Sequence, residues 1–268
     1  MPTTQPPVLS AALGVGLHRT SWDIGPEVYS FKYEEPAFPG FPGMKEEGIF
    51  YGVRFGYTSR SWVPASPKKS PPDGGAMFRA EGRFAFGQVD YDGALLDGTP
   101  YKIDNIDDYV FEGRLLLGAD MLCGDTLSTL YTGIGYRYLN DDPPPPVGYE
   151  RESNYLYVPL GYQFDSSHKV GWSFGFGAEF DILIVGMQRS HLSQVGLYDI
   201  DNRQNNGYGY RASVRFQHKS KDAIFMIEPF FRYWDIDDSE IEYAGYGYYG
   251  LEPANETKEI GVRLFWKF

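Results

Sequence analysis

Sixteen charged residues recur at every second position of apolar segments: Arg54, Arg79, Glu81, Arg83, Glu112, Arg114, Asp120, Arg137, Glu179, Asp181, Arg211, Arg215, Glu228, Arg232, Glu259 and Arg263. The basic members are all Arg, where a merely solvated face would use Lys more freely. The guanidinium fork suits packed, bidentate pairing with carboxylates, and seven carboxylates accompany it. Two chemistries follow if these residues face an enclosed space. One is a structural ion-pair network, because a buried charge without a partner costs several kcal/mol. The other is a thin polar pathway for ions or small solutes, lined by charged rings.

Other chemistry has weaker support. Of four His, His18 precedes the first clear strand, and His168 and His218 fall at short connections. Only His191 lies in a long connection, in Arg189-Ser190-His191-Leu192-Ser193, with Asp181 and Asp235 as the carboxylates expected to approach it. Ser190 and Ser193 are too close in sequence to imply a triad, so no catalytic residue is assigned. Cys123 has no neighbours at metal-ligand spacing and reads as a small buried or turn residue. The acidic stretches 104–108 and 235–240 offer oxygen ligands for hard cations, but match no EF-hand spacing. Neither a metal nor a cofactor is expected.

The charged positions demand strands. Val170, Trp172, Phe174, Phe176, Ala178, Phe180 and Ile182 alternate with Gly171, Ser173, Gly175, Gly177, Glu179 and Asp181, the period of a strand with two unlike faces. The same alternation recurs from Tyr29-Phe31-Tyr33, through Ile49-Tyr51-Val53-Phe55-Tyr57, to Ile260-Val262-Leu264-Trp266-Phe268. About ten such strands are expected, each roughly 9–14 residues long, enough to cross a membrane with tilt. Connections alternate between short and long, as in an antiparallel up-and-down barrel. The long ones are read as 92–108, 139–153, 185–206 and 236–256, with 62–75 a long exception at the short end. Pro143 to Pro146 is a stiff loop segment.

Composition decides which face is inside. The chain has 268 residues, 22 Tyr, 19 Phe, 32 Gly and a mean hydropathy of -0.39, and no apolar run long enough for a membrane helix. A transmembrane barrel keeps mean hydropathy low because it alternates. Ten strands of aromatic side chains would overfill a small interior, so they are expected to face lipid, with Gly on the inner face making room for large neighbours. The net charge of -12 argues against a nucleic-acid partner.

With its final amphipathic strand Val262, Leu264, Trp266, Phe268 and the repeated alternation from about Tyr29, the chain resembles bacterial outer-membrane β-barrel proteins of a porin-like, small-barrel kind. The resemblance implies an all-β transmembrane antiparallel barrel of about ten strands (8–12). It also implies an outer-membrane location, contact with lipid and lipopolysaccharide, and recognition of the last strand by the barrel-assembly machinery. A monomer is expected. Residues 1–25 are read as a lead-in, with 8–17 resembling the apolar part of a signal peptide but lacking a basic residue before it; 26–268 form one barrel domain. The function expected is a structural or narrow-pore barrel. The alternative is an enzyme active at the rim, an omptin-like protease or a lipid hydrolase.

Overall fold

The computed structural model describes residues 20–37, 42–63, 74–95, 97–144, 148–166, 170–220 and 223–268. His18, the stretch 8–17, the connection 64–73, Pro145, Pro146 and His168 lie outside the described residues. Thirteen strands are found among the described residues: β1 (Thr20–Glu35), β2 (Met44–Val63), β3 (Gly74–Ala94), β4 (Pro100–Cys123), β5 (Thr126–Asp142), β6 (Arg151–Asp165), β7 (Gly171–Ser190), β8 (Ile200–Gln204), β9 (Gly207–Lys219), β10 (Ile224–Ile236), β11 (Glu242–Gly245), β12 (Tyr248–Gly250) and β13 (Asn255–Lys267). Each barrel strand pairs antiparallel with its neighbours in the order β1-β2-β3-β4-β5-β6-β7-β9-β10-β13, and β13 returns to β1. Ten strands therefore close without an edge, which satisfies the backbone polar groups inside a membrane.

The barrel strands run from 13 residues in β13 to 24 in β4, longer than the alternation suggested. Much of what reads as long loop is strand continuing past the barrel wall. Segment 92–108 is mostly the β3–β4 hairpin, closed by a turn in which the Leu95 amide donates to the Thr99 carbonyl at 2.9 Å. A register shift between Val89 and Tyr91 and a positive φ of 60° at Asn105 mark a bulge there. Within 185–206, β7 gives way to a single 3-10 turn, Leu192–Val195, and then β8. Segment 236–256 contains the β11–β12 hairpin. At the opposite end, Gly124 takes φ +60° in the tight β4–β5 turn, a conformation that suits Gly. The first strand begins at Thr20, ahead of the boundary read at residue 26.

The outer face is apolar and exposed: Leu117 at 64%, Trp172 at 68% and Ile260 at 61%, joined by Phe55, Phe86, Leu115, Phe174 and Trp266. A closed barrel with this band outward is a membrane-spanning barrel, since water would penalise such a surface and lipid does not. One strand reverses the expected faces at its upper end. Tyr29, Phe31 and Tyr33 point inward and are buried, while Trp22, Ile24 and Val28 face out. The inward positions of Asp23 and Glu27 fix this parity, because a two-residue period carries it along the whole strand. Tyr29, Phe31 and Tyr33 pack with Phe50, Val89, Ile106, Val110, Leu139 and Phe230 into an apolar layer within the lumen. A second group, Tyr155, Tyr157, Leu183, Trp234 and Ile236, contributes on the other side.

Candidate functional site: the charged lumen and its acidic mouth

All sixteen alternating charged residues lie on inward positions, and their side chains meet in the middle and lower lumen. The centre is a lattice of forks. Arg83 donates to both oxygens of Glu259 at 3.0 and 3.1 Å and to Glu112 at 2.8 Å. Arg232 joins Glu27 at 2.8 Å and Glu259 at 2.5 Å, with its guanidinium over the Phe230 ring. Arg211 grips both oxygens of Glu112 at 2.5 and 3.0 Å and reaches Asp181 at 2.6 Å. Arg114 bridges Glu81 and Glu179.

Below this, Arg54 and Arg79 each contact Asp23 and Glu81. Arg215 pairs with Asp165 at 3.3 Å and donates to the carbonyls of Phe164 and Phe176. Arg60 holds Asp120 at 2.9 Å, and Thr129 donates to its other oxygen. Arg263 stands 3.6 Å from Glu228 and over Phe230. Arg137 is fully buried, 3.5 Å from Glu259 and over Tyr155, and among the described residues none of its side-chain nitrogens has a hydrogen-bond acceptor. These groups line a polar cavity of about 120 Å³ bounded by Glu81, Glu112, Arg114, Glu179, Arg211 and their neighbours, with room for several waters.

Alternation missed several members of the lattice. Asp23 and Glu27 are on inward positions of β1, hidden because the apolar face was assigned to Tyr29, Phe31 and Tyr33. Asp165 ends β6 and Arg60 lies near the end of β2, where the alternating apolar pattern runs out.

A second cluster lies above the apolar layer, at the long-loop mouth. Glu46, Asp108 and Asp141 are buried there, with carboxylate oxygens within 4.8 Å of one another. Arg151 donates to Asp141 at 3.0 Å and to Glu35 and Glu46 at 3.2 Å each. The Tyr33 hydroxyl lies 3.0 Å from both Glu35 and Glu252. Glu252 comes from the loop after β12; burial and the nearby Glu35 push its pKa up to about 8. Of the two acidic stretches read from the sequence, 104–108 thus sends Asp108 inward, where Asp107 points to solvent.

His191 is at the rim. Its ring stands 3.7 Å from Glu152 and 4.0 Å from Asp199, with Glu150 close by. Asp181 and Asp235 are elsewhere: Asp181 is bound to Arg211 in the lumen, and Asp235 accepts from Tyr208. His218 packs its ring against Trp172. Cys123 is exposed beside the β4–β5 turn and forms no disulfide.

The outward apolar band, the closed ten-stranded sheet and the charged lumen together define an outer-membrane β-barrel fold. Neither a protein-family model nor a curated protein matches the sequence. Among solved structures, the outer membrane protease OmpT from Escherichia coli is similar over 93% of this chain and 96% of its own, at 10% identity and a TM-score of 0.57. The transport unit of the autotransporter AIDA-I from Escherichia coli matches 93% of this chain and 90% of its own, at 8% identity and a TM-score of 0.45.

Proposed function

We propose that this protein is a structural barrel of the bacterial outer membrane whose lumen is closed at rest. The supporting observation is the fork between Arg83 on β3 and Glu259 on β13, strands separated in the barrel by β1 and β2. That bond ties one wall to another through the lumen, and the apolar layer around Phe31 and Phe50 caps it. The polar cavity below, about 120 Å³, is lined by the forks themselves, so a solute entering it meets paired charges. A narrow conducting state requires the forks to exchange partners, which links any pore activity to the same residues. Outside, the cross-strand partners Lys32 and Lys258 pair with Glu34 at 2.7 Å and Glu256 at 2.8 Å, and they would reach lipopolysaccharide phosphates by exchanging those carboxylates. Planar-bilayer recording tests the reading: purified barrel should insert without discrete conductance steps at low voltage. Regular steps at rest would replace the closed barrel with a pore.

The second reading is a rim-active hydrolase. It rests on His191 between Glu152 and Asp199, on a fold shared with a protein described as a protease. A peptide-library and lipid-hydrolysis survey of wild type and His191→Ala decides it: activity lost with His191 supports the reading, and no activity in wild type removes it.

A further inference from the structure

Asp108 and Asp141 are direct cross-strand partners on β4 and β5, both turned inward. Like charges directly opposite one another destabilise a sheet. Asp108 is 2% exposed, yet among the described residues no hydrogen-bond donor reaches either of its oxygens, and one oxygen of Asp141 is equally bare. An unpaired buried carboxylate is among the costliest groups a fold can hold. Glu46, from β2, brings a third carboxylate to the same point. Arg151 is the only basic side chain that pairs with this group among the described residues, and it is shared with Glu35. One positive charge faces four carboxylates.

The geometry points to a calcium site formed by Glu46, Asp108 and Asp141 at the extracellular mouth of the lumen. Three oxygens within 4.8 Å of one another leave their common centre no more than about 2.8 Å from each, close to the 2.3–2.6 Å of calcium–oxygen bonds. The ligands are all hard carboxylate oxygens, able to bind through one or both atoms. Burial favours Ca²⁺ over Mg²⁺, which keeps several of its waters and seldom accepts an all-protein cage. The ion answers the bare oxygens of Asp108 and removes the repulsion between the paired aspartates. It also joins β2 to β4 and β5 through the lumen. This proposal goes beyond the closed-barrel reading and does not depend on conductance.

The test is calorimetric titration of chelator-stripped barrel in detergent with CaCl₂, followed by thermal melting. Wild type should take up one Ca²⁺ per chain, and its melting temperature should rise with CaCl₂. Asp108→Asn should lose at least tenfold in affinity and the thermal response with it. Glu46→Gln provides an independent variant, and heat-modifiable gel migration verifies that each is folded. Absence of saturable uptake by wild type would overturn the site and leave a proton shared between the carboxylates. So would wild-type affinity in both folded variants. Displacement of Ca²⁺ by equimolar MgCl₂ would overturn the assignment of the ion.

Discussion

Arg83 and Glu259 form a two-pronged bond, Nη1 to Oε2 at 3.0 Å and Nη2 to Oε1 at 3.1 Å, between residues 176 positions apart. Both side chains are almost wholly buried, so each compensates a charge that water cannot reach. Arg83→Met leaves Glu259, Glu27 and Glu112 short of a partner and should cost about 3–5 kcal/mol. Adding Glu259→Gln to that variant should recover part of the loss, because it lowers the excess carboxylate charge that Arg232 is left to offset. Urea unfolding from lipid vesicles across the double-mutant cycle measures both steps. Equal, additive losses would mean that the pair is not coupled.

Leu115 lies midway along the outward face of β4, between Phe111 and Leu117. In lipid, Leu115→Arg should destabilise the barrel by about 2–4 kcal/mol, and Tyr109→Arg nearer the edge of the band by roughly 0–1. The comparison is read by unfolding from vesicles of fixed thickness. A flat response along the strand would contradict the membrane placement.

Two inward glycines act as seats for tyrosine rings. A Cβ at Gly135 would fall 2.2 Å from the Tyr157 ring, and one at Gly161 would fall 2.1 Å from that of Tyr131. Tyr157 donates to Glu112, and Tyr131 to Glu179, so each ring positions a lattice carboxylate. Gly135→Ala should therefore cost about 1–3 kcal/mol through overpacking. Near-ultraviolet circular dichroism should register displacement of the ring, with an unchanged spectrum counting against the seat.

Glu252 makes the mouth pH-dependent. It faces Glu35, Arg151, Tyr33 and Asp141, and its pKa of about 8 lies above the ordinary 4.5 because burial and Glu35 outweigh Arg151 and the Tyr33 hydroxyl. The docked loop thus binds a proton that the undocked loop releases. The stabilisation is fully present below about pH 4.5 and disappears as pH rises through about 8. Glu252 and Ser239 are joined by the Ser239 amide donating to the Glu252 carbonyl, so protection factors of amides in 237–254 report docking. They should fall between pH 5 and pH 9 in wild type and stay level in Glu252→Gln.

The two faces of most strands were legible because side chains alternate without exception along a flat segment. Trp172 to Ile182 show this, as do the arginines opposite them on β9. Parity was misread where aromatics occupy both faces. In β1, Tyr29-Phe31-Tyr33 and Trp22-Ile24-Pro26-Val28 are both apolar or aromatic, and only the charges at Asp23 and Glu27 reveal which set is inside. The acidic mouth was illegible for another reason. Glu46, Asp108, Asp141 and Arg151 lie on strand extensions beyond the lipid band, where alternation no longer separates apolar from polar. Their meeting depends on register between strands, which no single segment carries.

The β3–β4 hairpin outgrows its neighbour: β5 pairs with β4 only from Asp107 onward, so among the described residues the backbone of Pro100 to Ile106 has a ladder on one side alone. Like β8, which pairs with β7 alone among the described strands, it carries an edge beyond the closed wall. Such an edge is a template for another chain's strand, the first step of aggregation. Its residues answer that hazard. Pro100 withholds a donor, Lys102 and Asp104 place charge along the edge, and the bulge at Asn105 twists it away from a flat docking geometry. The hairpin is tall because it is guarded, and a neutral, bulge-free version of it would invite self-association between molecules in the plane of the membrane.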